Sequence, residues 1–127
     1  MPRPPQNLLT DKETEIMNSL WERGSATSEE IRADLPGNPH DSSVRTILRI
    51  LVSKGFVEII SGTRPSQYKP LLKQEKFRKK VTLDLLQRAF GGSARELVMQ
   101  LLDESRITPE ELQELEQEFR NQEKPKG

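Results

Sequence analysis

The chain lacks the residues from which most catalytic and metal sites are built. It has no cysteine and a single histidine in 127 residues. Without cysteine there is no disulfide framework, no thiolate metal ligand and no thiol nucleophile. His40 follows Pro39 in a polar loop, where an exposed loop residue is a simpler interpretation than a catalytic or metal-binding one. Glycine-rich phosphate loops and nucleophile motifs are missing as well. We therefore expect no enzyme activity, no metal site and no cofactor.

Long apolar runs are also absent. No run approaches the ~20 residues that a membrane-spanning helix needs, and the first ten residues, MPRPPQNLLT, lack the apolar centre of a secretory signal. We expect a cytoplasmic protein. Hydrophobic residues make up only 32% of the chain, which is lean for a short monomer. This composition favours helices that complete their core against a partner chain.

The net charge is zero, but the charges are unevenly distributed. Residues 1–41 carry four basic and eight acidic side chains, and residues 81–127 carry six basic and ten acidic ones. Between them, residues 42–80 carry ten basic and two acidic side chains, a balance of +8. Such a band is typical either of a site for an anionic partner or of a solvated charged surface.

The first 72 residues predict three helices followed by a β-hairpin. Thr10 with Glu13, and Thr27 with Glu30, have the spacing of capping boxes that open the first two helices. The third helix is expected over residues 42–54, because apolar residues recur there at helical spacing. Residues 56–60 and 67–70 are expected to be strands on either side of a Gly/Pro turn. This order is that of a winged helix-turn-helix domain, whose third helix enters the DNA major groove.

The third helix divides into two faces. Val44, Ile47, Leu48 and Leu51 form the apolar stripe, while serine, threonine and arginine side chains occupy a different face. Arginine pairs bidentately with guanine or clamps phosphate, and short hydroxyl side chains reach either group. The alternative is that these side chains only solvate the helix. The residues expected to contact DNA are Ser42, Ser43, Arg45, Thr46, Arg49 and Lys54, with Arg64 in the turn of the hairpin.

From residue 73 onwards the chain predicts helices alone. Segments of about 74–90 and 93–104 flank the Gly91-Gly92 break, and a further helix opens at Thr108. We expect residues 1–72 to form the DNA-binding domain and residues 73–127 a helical dimerisation domain. The alternative is that these helices fold back on their own N-terminal domain. The residues expected to form the dimer are Phe77, Val81, Leu85, Phe90, Leu97, Leu101, Leu112, Leu115 and Phe119.

Four stretches of the sequence resemble the penicillinase-repressor family of BlaI/MecI-type regulators. They are LTDKETEIMNSLW, SSVRTILRILVSKGFVE, QYKPLL and the Gly91-Gly92 segment that continues to ITPEELQELEQ. The resemblance covers about residues 8–120. It implies a dimeric bacterial repressor whose N-terminal domain binds dyad operators. It also implies a membrane sensor protease as a partner, which inactivates the repressor at an Asn-Phe bond. Gln100-Leu101 occupies the matching position here.

The sequence thus predicts a mainly α protein that consists of a winged helix and a helical dimerisation domain. The predicted function is that of a homodimeric transcriptional repressor that binds double-stranded operator DNA. The alternative is a winged-helix protein–protein interaction module that does not bind DNA.

Overall fold

The computed structural model describes residues 9–122. Six helices and three short strands account for most of this range, which confirms the mainly helical winged-helix prediction. In chain order the elements are α1 (Asp11–Arg23), β1 (Ala26–Thr27), α2 (Ser28–Asp34), α3 (Asp41–Ser53), β2 (Val57–Ile60), β3 (Gln67–Pro70), α4 (Gln74–Phe90), α5 (Ala94–Asp103) and α6 (Pro109–Gln122).

Both predicted capping boxes are present. The Glu13 backbone N–H donates to the Thr10 hydroxyl at 3.1 Å, and the Thr10 N–H donates to the Glu13 carboxylate at 2.9 Å. Thr27 and Glu30 make the same reciprocal pair at the start of α2. These bonds satisfy backbone N–H groups that have no partner inside the helix. Gly24 ends α1 with a φ of 84°, a conformation that side chains disfavour.

The three strands form one antiparallel sheet in the order β1-β3-β2. The hairpin is the predicted one, with Ile59 opposite Tyr68 and Val57 opposite Pro70. Strand β1 was not predicted. It has only two residues, and it exists because Ala26 and Thr27 pair with Tyr68 and Gln67, which lie far along the sequence.

The hydrophobic core lies between α1, α2, α3 and the sheet. Its side chains are almost wholly removed from solvent, with Leu48 and Leu51 of α3 at 0% exposure. Burial of one such leucine contributes roughly 1.5–3 kcal/mol. The core residues are Ile16, Met17, Leu20, Ala26, Ile31, Val44, Leu48, Leu51 and Val57.

The chain divides into two compact units between Val81 and Thr82. The first contains the core just described, together with the sheet. The second contains the end of α4 with α5 and α6, and no residue of α5 or α6 is fully buried. The predicted boundary after residue 72 stays a prediction. Within residues 9–122, no helix has the length and hydropathy that crossing a bilayer requires.

Candidate nucleic-acid interface

Helix α3 presents one apolar and one polar face. Val44, Leu48 and Leu51 are buried at 0–1% exposure and anchor the helix in the core. Ile47 is only half-buried, so the apolar stripe is narrower than the sequence predicts. The polar residues expected to contact DNA all remain exposed, namely Ser42, Ser43, Arg45, Thr46 and Arg49.

The polar side chains of α3 differ in how they are held. The Nε of Arg45 lies 2.8 Å from the Asp41 carboxylate, one helical turn earlier. The Thr46 hydroxyl donates to the Ser42 carbonyl at 2.8 Å, so its proton is engaged while its oxygen can still accept. Arg49 makes no salt bridge with any residue of the described range 9–122. On the polar face of α3, the guanidinium of Arg45 is therefore ion-paired with a residue of its own helix, and that of Arg49 is not.

The turn between α2 and α3 fixes where α3 begins. The Nε of Arg32 donates to the Pro39 carbonyl at 2.6 Å, which ties the turn to α2. His40 occupies the N-cap position of α3 without a side-chain hydrogen bond. The helix starts at Asp41, one residue earlier than expected, and this places the Asp41 carboxylate in its first turn.

The hairpin turn is closed by its own side chains. The Thr63 hydroxyl donates to the Ile60 carbonyl and accepts from the Gln67 N–H, both at 2.9 Å. Gly62 has a φ of 78°. The Arg64 side chain is exposed in this turn, where a winged helix presents its wing.

The two candidate surfaces meet in a cleft of about 530 Å³. Arg45 lines it from α3, and Arg64 lines it from the hairpin turn. Ser43 lies elsewhere, in a smaller groove that Lys12 and Glu15 of α1 also line. The structure therefore brings two predicted DNA-binding arginines together and leaves Ser43 on the side of α3 that faces α1.

Lys54 has a partner inside the protein. Its Nζ lies 2.8 and 3.1 Å from the two carboxylate oxygens of Glu13, a buried residue of α1. Burial raises the pKa of Glu13, but the hydrogen bonds from Lys54 and Thr10 outweigh burial and leave the pKa below its usual value. The same carboxylate thus caps α1 and holds the C-terminal end of α3. The predicted contact of Lys54 with DNA stays a prediction.

A second ion pair joins α1 to α2. The Asp34 carboxylate accepts two bonds from Arg23, at 2.7 and 2.9 Å, and one from the Ser19 hydroxyl at 2.7 Å. These bonds, with that of Arg23 the strongest, lower the pKa of Asp34 to about 2. The Glu13 carboxylate thus joins α1 to the end of α3, and the Asp34 carboxylate joins α1 to α2. Sequence spacing predicted neither pairing.

The predicted dimerisation residues differ in exposure. Phe77 is half-buried and packs at 5.4 Å, between ring centroids, on Trp21 of its own unit. Val81, Phe90, Leu97 and Leu112 are half-buried. Leu85, Leu101, Leu115 and Phe119 are 37–56% exposed. Leu83 and Met99, which the sequence analysis did not select, are also exposed, at 54% and 45%.

The residues at the predicted cleavage position lie within a helix. Gln100 and Leu101 are both exposed on α5. The side-chain amide of Gln100 lies 3.4 Å from the Glu104 carboxylate, one turn further along.

With this geometry in view, comparison with known proteins identifies the family. Residues 9–121 match the model of a family described as Penicillinase repressor. This match covers nearly all of the chain. The chain belongs to the penicillinase repressor family.

Individual family members are distant in sequence but similar in extent. The methicillin resistance regulatory protein MecI of Mammaliicoccus sciuri is 23% identical over 111 residues, which cover 84% of this chain and 89% of that protein. The penicillinase repressor of Bacillus licheniformis is 26% identical over 111 residues, covering 86% and 87%. That of Staphylococcus aureus is 22% identical over 105 residues, covering 81% and 83%. The family resemblance inferred from the motifs is confirmed.

Proposed function

We propose that this member of the penicillinase repressor family is a homodimeric transcriptional repressor that binds two-fold operator DNA. The observation that carries the proposal is the arrangement of arginines on the winged helix. Arg45 and Arg49 project from the polar face of α3, and Arg64 of the hairpin turn lines the same cleft as Arg45. One arginine of the helix and one of the wing therefore face a common cleft.

The dimensions of α3 suit a DNA groove. Its 13 residues span about 20 Å at 1.5 Å per residue, and the major groove of ~12 Å width admits an α-helix. Because the buried face is anchored by Val44, Leu48 and Leu51, the polar face is left to approach base edges. Arg45 and Arg49, one turn apart, can reach neighbouring bases or phosphates.

The charge distribution supports an anionic partner. The basic band at residues 42–80 contains all of α3 after Asp41, the wing and the first part of α4. Lysine and arginine contacts to phosphates release bound counterions, so DNA affinity should fall steeply as the salt concentration rises. A protein–protein module would not require this steep dependence.

The exposed apolar side chains support dimerisation. Leu83, Leu85, Met99, Leu101, Leu115 and Phe119 are each at least 37% exposed. Large apolar side chains left exposed on helices are typical of surfaces that close against a partner. A second copy would pair two α3 helices, which a two-fold operator with half-sites one helical turn apart requires.

We extend the proposal to inactivation by proteolysis at Gln100-Leu101, with a membrane sensor protease as the partner. Family membership supports it, as does the exposure of both residues. Because the bond lies inside α5, that helix must open locally before a protease can bind it in extended form. Cutting there would separate α6, with Leu115 and Phe119, from the rest of the apolar surface.

The arginines of α3 provide the direct test. The operator is first obtained by sequencing the genomic DNA fragments that the protein retains. Arg45→Ala with Arg49→Ala should then reduce operator affinity at least about 100-fold, since each good base contact contributes about 1–3 kcal/mol. Fluorescence anisotropy of a labelled operator duplex measures the loss.

A matched pair of arginines controls for general charge. Arg95→Ala with Arg106→Ala removes the same charge from exposed positions outside α3 and should change operator affinity far less. Both double variants should keep the mass of the parent protein in sedimentation. Unchanged operator affinity in the α3 variant would refute the proposal and favour the protein–protein module.

A further inference from the structure

Asp41 and Arg45 form a pair at the start of the candidate recognition helix. The Asp41 carboxylate lies 2.8 Å from the Nε of Arg45. Both side chains remain in solvent, at 44% and 61% exposure. An exposed pair at this spacing contributes little to folding stability. Its position on the polar face of α3 suggests a different purpose.

The ion pair restricts Arg45 while leaving its donors free. A guanidinium carries five N–H donors in a planar fork. The carboxylate lies beside Nε, so the terminal nitrogens remain available to a guanine edge or a phosphate. An arginine that is already held in one orientation loses less conformational freedom when it binds. Arg49, which has no such partner within the described residues, must be ordered on contact.

The pair also lies where α3 approaches the wing. Arg45 lines the cleft shared with Thr63 and Arg64, while Asp41 and Arg45 together line an adjoining cleft that reaches Pro65. Arg45 therefore lies between the start of α3 and the hairpin turn. A small change in its orientation would alter which group it reaches.

The negative charge of Asp41 has a second effect, on DNA of any sequence. Near the DNA backbone a carboxylate repels phosphates, and this repulsion weakens contacts that do not depend on sequence. This repulsion acts on operator and other DNA alike, so by itself it leaves the ratio of the two affinities unchanged; only a base contact from Arg45, oriented by Asp41, offsets it at the operator. Discrimination between partners often combines an attractive contact with a repulsive one.

We propose that Asp41 is a positioning residue that orients Arg45 and thereby increases discrimination between the operator and other DNA. This inference rests on the proposed function, because it assumes that α3 reads DNA. A negative charge on a helix that binds DNA should weaken the binding. The inference assigns this charge a role in specificity.

A purely structural role for Asp41 is the competing explanation. An acidic residue in the first turn of a helix stabilises it through the helix dipole. Asp11 provides the matched control, because it is the first residue of α1, is exposed, and makes no salt bridge with the residues that the structure describes. A dipole effect should be similar at both positions.

The experiment compares two affinities for each variant at one salt concentration. One duplex carries the operator selected from genomic DNA, and the other is a scrambled duplex of the same length. The variants are Asp41→Asn, Asp41→Glu, Arg45→Ala, the combination of Asp41→Asn with Arg45→Ala, and the control Asp11→Asn. Thermal unfolding of each variant reports stability separately.

For Asp41→Asn we expect a stronger affinity for the scrambled duplex and a ratio of operator to scrambled affinity lowered about 10-fold. Asp41→Glu should largely retain the ratio, because a glutamate four residues before an arginine can also pair with it. With Arg45→Ala already present, Asp41→Asn should lower the ratio no further. Asp11→Asn should leave the ratio unchanged.

Three results would overturn the inference. They are an unchanged ratio in Asp41→Asn, an equal loss in Asp11→Asn, and a further loss when Asp41→Asn is added to Arg45→Ala. If Arg45→Ala itself leaves the ratio unchanged, the reading of DNA through Arg45 fails as well. If Arg45→Ala lowers the ratio and Asp41→Asn does not, only the role of Asp41 fails.

Discussion

The two compact units place their apolar residues in opposite ways. Among residues 9–122, all nine fully buried apolar side chains belong to the first unit, which ends at Val81. In the described part of the second unit, residues 82–122, the helices carry six large apolar side chains with at least 37% exposure. The first unit therefore completes a core within one chain, and the second does not.

This difference follows from the way each unit is assembled. In the first unit, three helices and a sheet cover one another, and buried carboxylate contacts such as that of Glu13 to Lys54 join them. In the second unit, the helices α5 and α6 have good N-terminal caps at Ser93 and Thr108 but no enclosed interior. Local helix signals are sufficient to form helices, whereas a core requires additional layers.

The largest expected effect comes from placing charge in the apolar surface of the second unit. Leu101→Glu with Leu115→Glu should dissociate the proposed dimer, because burial of an unpaired carboxylate at an interface is strongly unfavourable. Sedimentation should then give the chain mass of 14.6 kDa. Operator affinity should fall about 100- to 10,000-fold with the loss of two-site binding.

The control for that experiment adds charge at a polar position of α6. Gln113→Glu changes an exposed polar residue of the same helix α6, and both mass and operator affinity should be retained. A parent protein that already sediments as a monomer would contradict the dimer and leave the exposed apolar residues without explanation.

A smaller effect is expected from removing side-chain volume in the first unit. Leu48→Ala should lower the free energy of unfolding by about 2–5 kcal/mol, because it leaves a cavity in a closed core. Urea titration followed by circular dichroism measures the change. Leu83→Ala makes the same change at a side chain that is 54% exposed in the single chain, and at protein concentrations low enough to keep the protein monomeric it should cost less than about 0.5 kcal/mol. Equal losses would remove the contrast between the units.

The smallest expected effect is the pH dependence of the Asp34 pair. The pKa of the Asp34 carboxyl falls from 3.8 to about 2 in the folded protein, so the unfolded state binds the proton more readily. The pair therefore contributes stability above about pH 4, and this contribution disappears as the pH falls toward 2. The stability difference between the parent and Asp34→Asn should shrink over that range.

A carboxylate of the second unit serves as the reference. Asp103 is exposed and makes no salt bridge with the described residues. At each pH from 5 to 2, the stability of the Asp103→Asn variant should be close to that of the parent protein. If the stability difference between the parent and Asp34→Asn stayed constant from pH 5 to pH 2, the assigned role of Asp34 would be contradicted.

Much of the fold could be predicted because its signals are local. The three-residue spacing of a threonine and a glutamate predicted two helices, at Thr10 with Glu13 and at Thr27 with Glu30. Both pairs form as expected. The apolar period of α3 and the Gly/Pro turn of the hairpin are likewise short-range signals. Family membership followed from the same segments.

The missed features depend on residues that are distant in sequence. Strand β1 exists only through its pairing with β3, and Glu13 meets Lys54 across 41 positions. The narrowing of the apolar stripe at Ile47 depends on where α1 and α2 lie. The pair of Asp41 and Arg45 has a local, four-residue spacing, but the helix predicted from the sequence began at residue 42, which left Asp41 outside it.

The contacts of Trp21 give the protein an internal optical probe. It is the only tryptophan of the chain. Its indole N–H donates to the Leu72 carbonyl at 2.7 Å, and its ring packs against Phe77 at the start of α4. Indole emission responds to the polarity and quenching groups around the ring. Intrinsic fluorescence therefore reports the junction between the winged helix and α4 without a label, in the free protein and in any complex.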